Sequence, residues 1–272
     1  MHKEEVLKII DTLVSYIEDF VEFSGMRGVV LGLSGGVDSA TDLMLAVRAL
    51  PKEKVFCVMM PCESNPQDLE DAVKVANKCE VDYKVIDLES AYKELLKQIT
   101  KPTTLTKANI KARLRMTTLY AFANQYEYLN MGTGNKSELA IGYITKYGDG
   151  GVDFEPLAGL YKTEIYEIAT ELGVPQSILE KAPSAGLWKG QTDESELGFS
   201  YEELDTILKL LEHNSMMNLS FEGSAFKILV QKYGADLEKV KKVVAMIQKS
   251  EHKRNMPPCS SRNLILSTLA RE

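Results

Sequence analysis

The stretch Val29–Ala40, VVLGLSGGVDSA, leads an apolar run into Ser34-Gly35-Gly36 and then sets Asp38 and Ser39 at the start of a helical pattern. A glycine-rich turn after a strand lets backbone N–H groups approach phosphate oxygens, and the helix that begins there adds the positive end of its dipole. The stretch is neither GxxxxGK[ST], since no lysine follows the glycines, nor GxGxxG. Kinase-type phosphate loops and dinucleotide dehydrogenases are therefore not indicated. An acid beside a polyphosphate repels it unless a divalent cation lies between, so Asp38 reads as a Mg2+ ligand or, alternatively, as a helix cap.

Further residues of suitable chemistry are spread over later stretches. Glu138 follows the glycine turn in GTGNKSELA, five residues after Thr133, which puts it near the start of a short helix, where an acid also simply suits the dipole. Lys162 opens the helical pattern YKTEIYEIATELG; a lysine there is electrostatically unfavourable, which suggests an anionic partner, the alternative being an exposed lysine. In KANIKARLRMTT, Lys107, Lys111 and Arg115 make a basic stripe that reads as a solvated helix face. Ile110, Leu114, Thr117 and Ala121 make a mostly apolar one. Arg113 lies beside the apolar stripe on the flank opposite the lysines, partly buried, where a guanidinium needs either an anionic ligand or a structural ion pair. Lys146 and Asp153 flank the glycines of KYGDGGVDFEP. His252 and Lys253, in SEHKRNMPP, fit either a binding role or a solvated basic tail.

The elements that must position these residues read as alternating strands and helices. Val6, Ile9, Ile10, Leu13, Val14, Ile17 and Val21 form a helical stripe ending near Gly25. Strand-like runs GVVLGL, KVFCVMM and YKVIDL alternate with helical patterns beginning near Asp38 and Pro66, and EYLNMGTG reads as a fourth strand entering a turn. Helical patterns dominate beyond Tyr161, including the stripe Leu237, Val240, Val243, Val244 and Ile247. KYGDGGVDFEP and APSAGLWKGQTDESELG are rich in turn formers and charge, and are expected to be mobile surface loops. The fold class is α/β, a parallel sheet with helices on both faces and a helical C-terminal part.

At 272 residues, 44% of them hydrophobic, the chain fits a single domain. Its 39 acids and 32 bases leave a net charge of -7, which argues against nucleic acid or anionic membranes as general partners and points to small molecules. Cys57, Cys62, Cys79 and Cys259 form no CxxC pair and read as reduced packing thiols of a cytoplasmic protein, without a structural zinc site. No targeting segment or membrane span is expected.

LSGGVDSA resembles the SGGxDS signature of the N-type ATP pyrophosphatases, which cleave ATP between the α and β phosphates. Together with KANIKARLRMTTLYAFAN, MGTGNKSELAIGYITKYGDGGVDFEPLAGLYKTEIYEIA, QTDESELGFSYEELD and HKRNMPP, it resembles the NAD synthetase family over most of the chain. The resemblance implies an adenine nucleotide alpha hydrolase-like fold and ATP-dependent amidation of deamido-NAD by ammonia through a nicotinate adenylate. Gly32, Leu33, Ser34, Gly35, Gly36, Val37, Asp38 and Ser39 would bind ATP, with Thr133, Lys162 and Ser184. Asp38 and Glu138 would hold Mg2+. Arg113, Lys146, Asp153, His252 and Lys253 would hold deamido-NAD. Asp38, Glu138 and Lys162 would be the catalytic set, with the glycine-rich loops closing over the intermediate. Where the family has proline-threonine-alanine, this chain has Pro183-Ser184-Ala185, keeping a hydroxyl and losing a methyl. The family also implies a homodimer and, with only about 30 residues ahead of the phosphate loop, no glutaminase domain.

Two other readings share part of this pattern. A GMP-synthetase-like or tRNA-modifying ATP pyrophosphatase would have the first loop but is not expected to carry ITKYGDGG and QTDESELG together. A nucleotide-sensing module without catalysis would have no need of both Asp38 and Glu138.

Overall fold

The computed structural model describes residues 1–184, 186, 188, 190–214, 234 and 236–259. Helix α1 (Lys3–Ser24) buries Val6, Ile10, Ile17 and Val21 and stops at Gly25, whose positive φ of 70° lets its N–H return to Glu22 O. Four parallel strands follow: β1 (Val29–Gly32), β2 (Val55–Met59), β3 (Asp82–Val85) and β4 (Leu129–Met131). Their order is β3-β2-β1-β4, with Val29 in register with Val55 on one side and Leu129 on the other.

The period of two along the strands divides the core. Val29, Leu31, Val55, Cys57 and Met131 face a cluster built with α1, α2 (Val37–Ala49), α3 (Pro66–Cys79) and α7 (Lys162–Leu172). Val30 and Val58 face the opposite way, toward Ala123 of α5 (Thr104–Tyr126). The remaining described helices are α4 (Glu89–Lys97), α6 (Lys136–Ile141), α8 (Gln176–Leu179), α9 (Asp193–Leu197), α10 (Tyr201–His213) and α11 (Leu237–Arg254). A separate apolar cluster joins α6, α9, α10 and α11 through Ile141, Leu197, Leu208 and Val244, the helical C-terminal part expected from periodicity. No described helix is long and apolar enough to cross a membrane.

The chain runs from β1 outward through β2 to β3, then returns to place β4 on the other side of β1. This reversal makes a crevice at the carboxyl ends of β1 and β4, the place where open parallel sheets receive ligands. The loops carrying Ser34–Ser39 and Thr133–Glu138 leave the sheet there.

The two glycine-rich stretches are not simply surface loops. In the first, Phe154 is buried, forms an isolated parallel bridge with Met131, and stacks on Phe20 at 4.6 Å. Its glycines permit close packing: a Cβ on Gly148 would lie 2.9 Å from the Thr145 side chain. In the second, α9 forms, burying Asp193 and Leu197. Composition registered the turn formers and missed the apolar anchors between them.

One buried acid of this architecture stands apart from the rest. Asp42, one helical turn after Asp38, is fully buried, and neither of its carboxyl oxygens has a described hydrogen-bond partner. Burial, then Asp38 and Glu155, push its carboxyl well above the usual range. Burial likewise pushes Glu155 up to about 7. Because the folded value of Asp42 is raised, the unfolded chain releases that proton first, and stability falls as pH climbs from the ordinary carboxylate range toward the folded value. Asp42→Val should therefore stabilise the fold at pH 7, by on the order of 1–3 kcal/mol, and by less at pH 4.5. Thermal unfolding at both pH values measures this; an equal or larger gain at the lower pH would contradict it.

Candidate active site

The geometry of the glycine-rich loop begins with two hydroxyls. Ser34 N donates to Ser39 Oγ at 3.2 Å, the two Oγ atoms lie 2.9 Å apart, and Gly36 N donates to Ser34 Oγ at 3.2 Å. Gly35 must be glycine for two reasons: its φ is +81°, and a Cβ would meet the Asp68 carbonyl oxygen at 2.1 Å. The residue in the N-cap position of α2 is Gly36, so Asp38 stands within the first turn and is not the cap. Its carboxylate turns instead to Lys162.

Lys162, the first residue of α7, is 3% exposed, and its ammonium is paired with both Asp38 and Glu138, the latter at 3.4 Å. A buried lysine at a helix N-terminus opposes both solvation and the dipole, and two carboxylates together outweigh that cost. Burial alone would lower the Lys162 value, but Asp38 and Glu138 raise it above its ordinary range. Burial pushes Glu138 up to about 8, with Lys162 pulling it down and Asp38 and Asp193 adding to the rise. The exposed-lysine alternative is thereby excluded.

Residues without an obvious local signal hold this trio. Asn135 accepts from Glu138 N at 3.0 Å as the cap of α6 and donates to Asp38 Oδ1 at 3.4 Å, joining the two loops. The spacing Asn135 to Glu138 is a helix-start pattern that could have revealed the cap. Tyr201 lies under the Lys162 ammonium at 5.2 Å, and its hydroxyl reaches Glu138 at 3.3 Å and Asp193 at 3.0 Å. Asp205 accepts from the Ser137 hydroxyl and from Thr163 N at 2.9 Å, while Lys162 N donates to Ser137 Oγ at 2.9 Å. Buried polar side chains from α10 thus fix where α6 and α7 meet.

A cleft of about 630 Å³ opens onto these groups. The glycine-rich loop contributes Gly32, Leu33, Ser34, Gly36, Val37, Asp38 and Ser39, and Thr133, Glu138, Lys162 and Ser184 line the same space. Ala185, next to Ser184, lies outside the described residues. Arg113, Lys146, His252 and Lys253 line it too, with Asp149, which the sequence reading passed over. Gly35 and Asp153 are not on the wall: Gly35 backs onto α3, and Asp153 accepts from Asn130 N at 2.7 Å and the Tyr120 hydroxyl at 2.9 Å. Lys253 donates to the carbonyls of Gly142 at 2.7 Å and Ile144 at 2.6 Å, and Lys146 donates to His252 O. These bonds tie the end of α11 to the exit of α6, so Lys253 is no solvated tail.

The faces of α5 are only partly those expected: Ile110 and Leu114 pack inward and Lys107 is exposed, as read, but the rest of both stripes departs from the expectation. Arg113 is exposed, donating to Lys146 O at 3.3 Å, whereas Lys111 is 2% exposed, paired with Glu63 at 2.8 Å and set over the Tyr92 ring. Arg115 donates to Met60 O and Ser64 Oγ, both at 3.3 Å. Thr117 and Ala121, assigned to the apolar stripe, are exposed. The segment after β2 supplies the acid, carbonyl and hydroxyl that draw Lys111 and Arg115 inward, while Lys107 stays exposed.

Residues 9–257 match the model of the family described as NAD synthase. An NH(3)-dependent NAD(+) synthetase of Archaeoglobus fulgidus is 47% identical over 253 residues, covering 92% of this chain and 95% of that protein. Among solved structures, the NMN synthetase from Francisella tularensis superposes with a TM-score of 0.80 at 33% identity, covering 94% of this chain and 98% of that one. The NH3-dependent NAD synthetase from Campylobacter jejuni, in complex with the nitrate ion, gives a TM-score of 0.79 at 33% identity over 96% of this chain and 100% of that one. With similarity of this extent and a sheet of the same adenine nucleotide alpha hydrolase-like kind, the chain belongs to the NAD synthase family.

Proposed function

We propose that this chain is an ammonia-dependent ligase that amidates deamido-NAD to NAD, consuming ATP and releasing AMP and pyrophosphate as the last step of NAD biosynthesis. The observation that carries this reading is the convergence of Asp38, Glu138 and Lys162 at the open end of a glycine-rich loop, inside a cleft large enough for nucleotides. The substrate carboxylate attacks the α phosphorus, and ammonia then attacks the activated carbonyl and expels AMP.

Backbone donors and hydroxyls between Ser34 and Ser39 hold the departing pyrophosphate. Lys162 offsets charge that builds on the phosphates, and Thr133 and Ser184 contact ATP from the facing walls. Arg113, Lys146 and His252 orient the dinucleotide from the α5 and α11 side, with Lys253 and Asp153 shaping that side through the bonds described above. The residues present suit Mg2+: two carboxylates, each 16% exposed, converge from separate elements on a point that already holds a cationic group. No group of three or more His, Cys, Asp or Glu residues placed to hold a metal occurs among the described residues, so phosphate oxygens and water would complete the set. Asp38 and Glu138 would hold Mg2+, which when bound neutralises phosphate charge and acts as a Lewis acid. We further infer a cytoplasmic homodimer, following the family resemblance and the four free thiols; a monomeric sedimentation profile of the active enzyme would count against the dimer.

The direct test is incubation with ATP, deamido-NAD, ammonium and Mg2+, scored by NAD, AMP and pyrophosphate. The neighbour named an NMN synthetase supports a second reading, amidation of nicotinic acid mononucleotide, and a parallel assay with that substrate separates the two. The larger kcat/KM is expected with deamido-NAD.

Asp38→Asn and Glu138→Gln should each cut turnover by orders of magnitude while leaving the fold intact, since each removes a charge partner of Lys162 and a metal-binding carboxylate. Near wild-type rates at ordinary Mg2+ in both would refute the two-carboxylate assignment.

With oxygen-18 in the nicotinate carboxylate, one labelled oxygen should pass to AMP and none to pyrophosphate. Label in orthophosphate, with ADP formed, would instead show activation through an acyl phosphate.

A further inference from the structure

A lysine outside the expected catalytic set links the parts of the phosphate site. Lys181 follows α8, and its ammonium donates to Gly35 O at 3.1 Å and Asp68 Oδ1 at 2.9 Å, and pairs with Asp71 Oδ2 at 2.7 Å. Burial works against its charge, yet the bonds to Asp71 and Asp68 hold it above its ordinary value. Asp71 is 1% exposed and is also approached by Lys74 at 3.2 Å and by the Ser177 hydroxyl at 3.2 Å. Lys181, Asp68 and Ser184 line the cleft together.

We propose that Lys181 is a positioning residue for the nucleotide phosphates. The Gly35 carbonyl and the Gly36 N–H belong to one planar peptide, so holding the oxygen fixes the direction of the hydrogen. That hydrogen is donated to Ser34 Oγ, which in turn lies 2.9 Å from Ser39 Oγ. A grip on Gly35 O is therefore transmitted, through one rigid unit, to both hydroxyls of the loop. Gly35 needs such a grip because its left-handed backbone is pressed against the Asp68 carbonyl, and Lys181 binds the side chain of that same Asp68. The ammonium also neutralises carboxylates beside the place where a polyanion must sit. Without it, Asp68 and Asp71 would repel the phosphates. Lys181 comes two residues before Pro183-Ser184, so it also fixes the root of the segment that brings Ser184 to the cleft.

The inference rests on the ATP-using function proposed above, and its test separates the two. Binding of MgATP alone is measured by calorimetry, and KM values for ATP and deamido-NAD are measured in the amidation assay, for wild type, Lys181→Met and Lys181→Arg. Lys181→Met should weaken MgATP binding and raise the ATP KM by about tenfold or more, with the KM for deamido-NAD within about twofold of wild type. Lys181→Arg, which keeps the charge and a donor, should recover most of the loss, and it serves as the folded reference if the methionine variant is unstable. Equal rises in both KM values, unchanged MgATP binding in Lys181→Met, or an arginine variant no better than methionine would overturn the proposal. A wild type that binds MgATP but forms no NAD would refute the function and leave the binding comparison of the Lys181 variants intact.

Discussion

The ammonium of Lys162 lies almost without solvent between Asp38 and Glu138, at a helix N-terminus that already carries partial positive charge. Such a group stays charged only while both carboxylates face it, because an unpaired buried charge costs several kcal/mol or more. Three elements must therefore hold a common register: α2 for Asp38, α6 for Glu138 and α7 for Lys162. Asn135 ties the first two, and Ser137 with Asp205 ties the second to the third. The sheet serves this arrangement by ending β1 and β4 side by side, so that the loops entering α2 and α6 emerge as neighbours.

With Glu138 ionised, as a bound divalent cation would hold it against the push of burial up to about 8, the trio carries one net negative charge, a poor place for a polyphosphate by itself. The same deficit makes it a good place for a nucleotide that arrives with a divalent cation. Ser34 and Ser39 contribute dipoles without charge, and the countercharges of Lys181 are spent on α3. At this end of the cleft Lys162 and Lys181 are thus committed to protein carboxylates, whereas Arg113, Lys146 and Lys253 farther along it donate to backbone carbonyls.

Asp38, Glu138 and Lys162 each sit at a recognisable boundary, a strand entering a glycine turn, a turn entering a short helix and a helix start, but that pattern left a cap, a dipole placement and an exposed lysine as alternatives, and the family resemblance singled the three out. The strands were legible as short apolar runs between helical patterns, although which way Val29, Val30 and Leu31 face was not. The sides of α5 were not, because periodicity locates stripes without saying what packs against them. Glu63, Met60 O and Ser64, 48 to 55 residues away by sequence number, made Lys111 and Arg115 interior groups. Tyr201 and Asp205 gave no local signal either, since their roles consist of contacts with residues 63 and 68 positions distant. The glycine-rich stretches misled in the opposite sense: their few apolar residues, Phe154 and Leu197, decide the packing.

The bond from Lys162 to Asp38 spans 124 positions of the chain, and that from Ser137 to Asp205 spans 68. Contacts this remote close late, since loop entropy must be met before they can form. A chain growing from its N-terminus on the ribosome thus presents the Ser-Gly-Gly turn early, together with an Asp38 that has no countercharge. Lys162 emerges later, and the α10 residues that clamp it later still. Competence to handle ATP is in this way a property of the finished tertiary structure, and a truncated or half-made product holds only a corner of the nucleotide site.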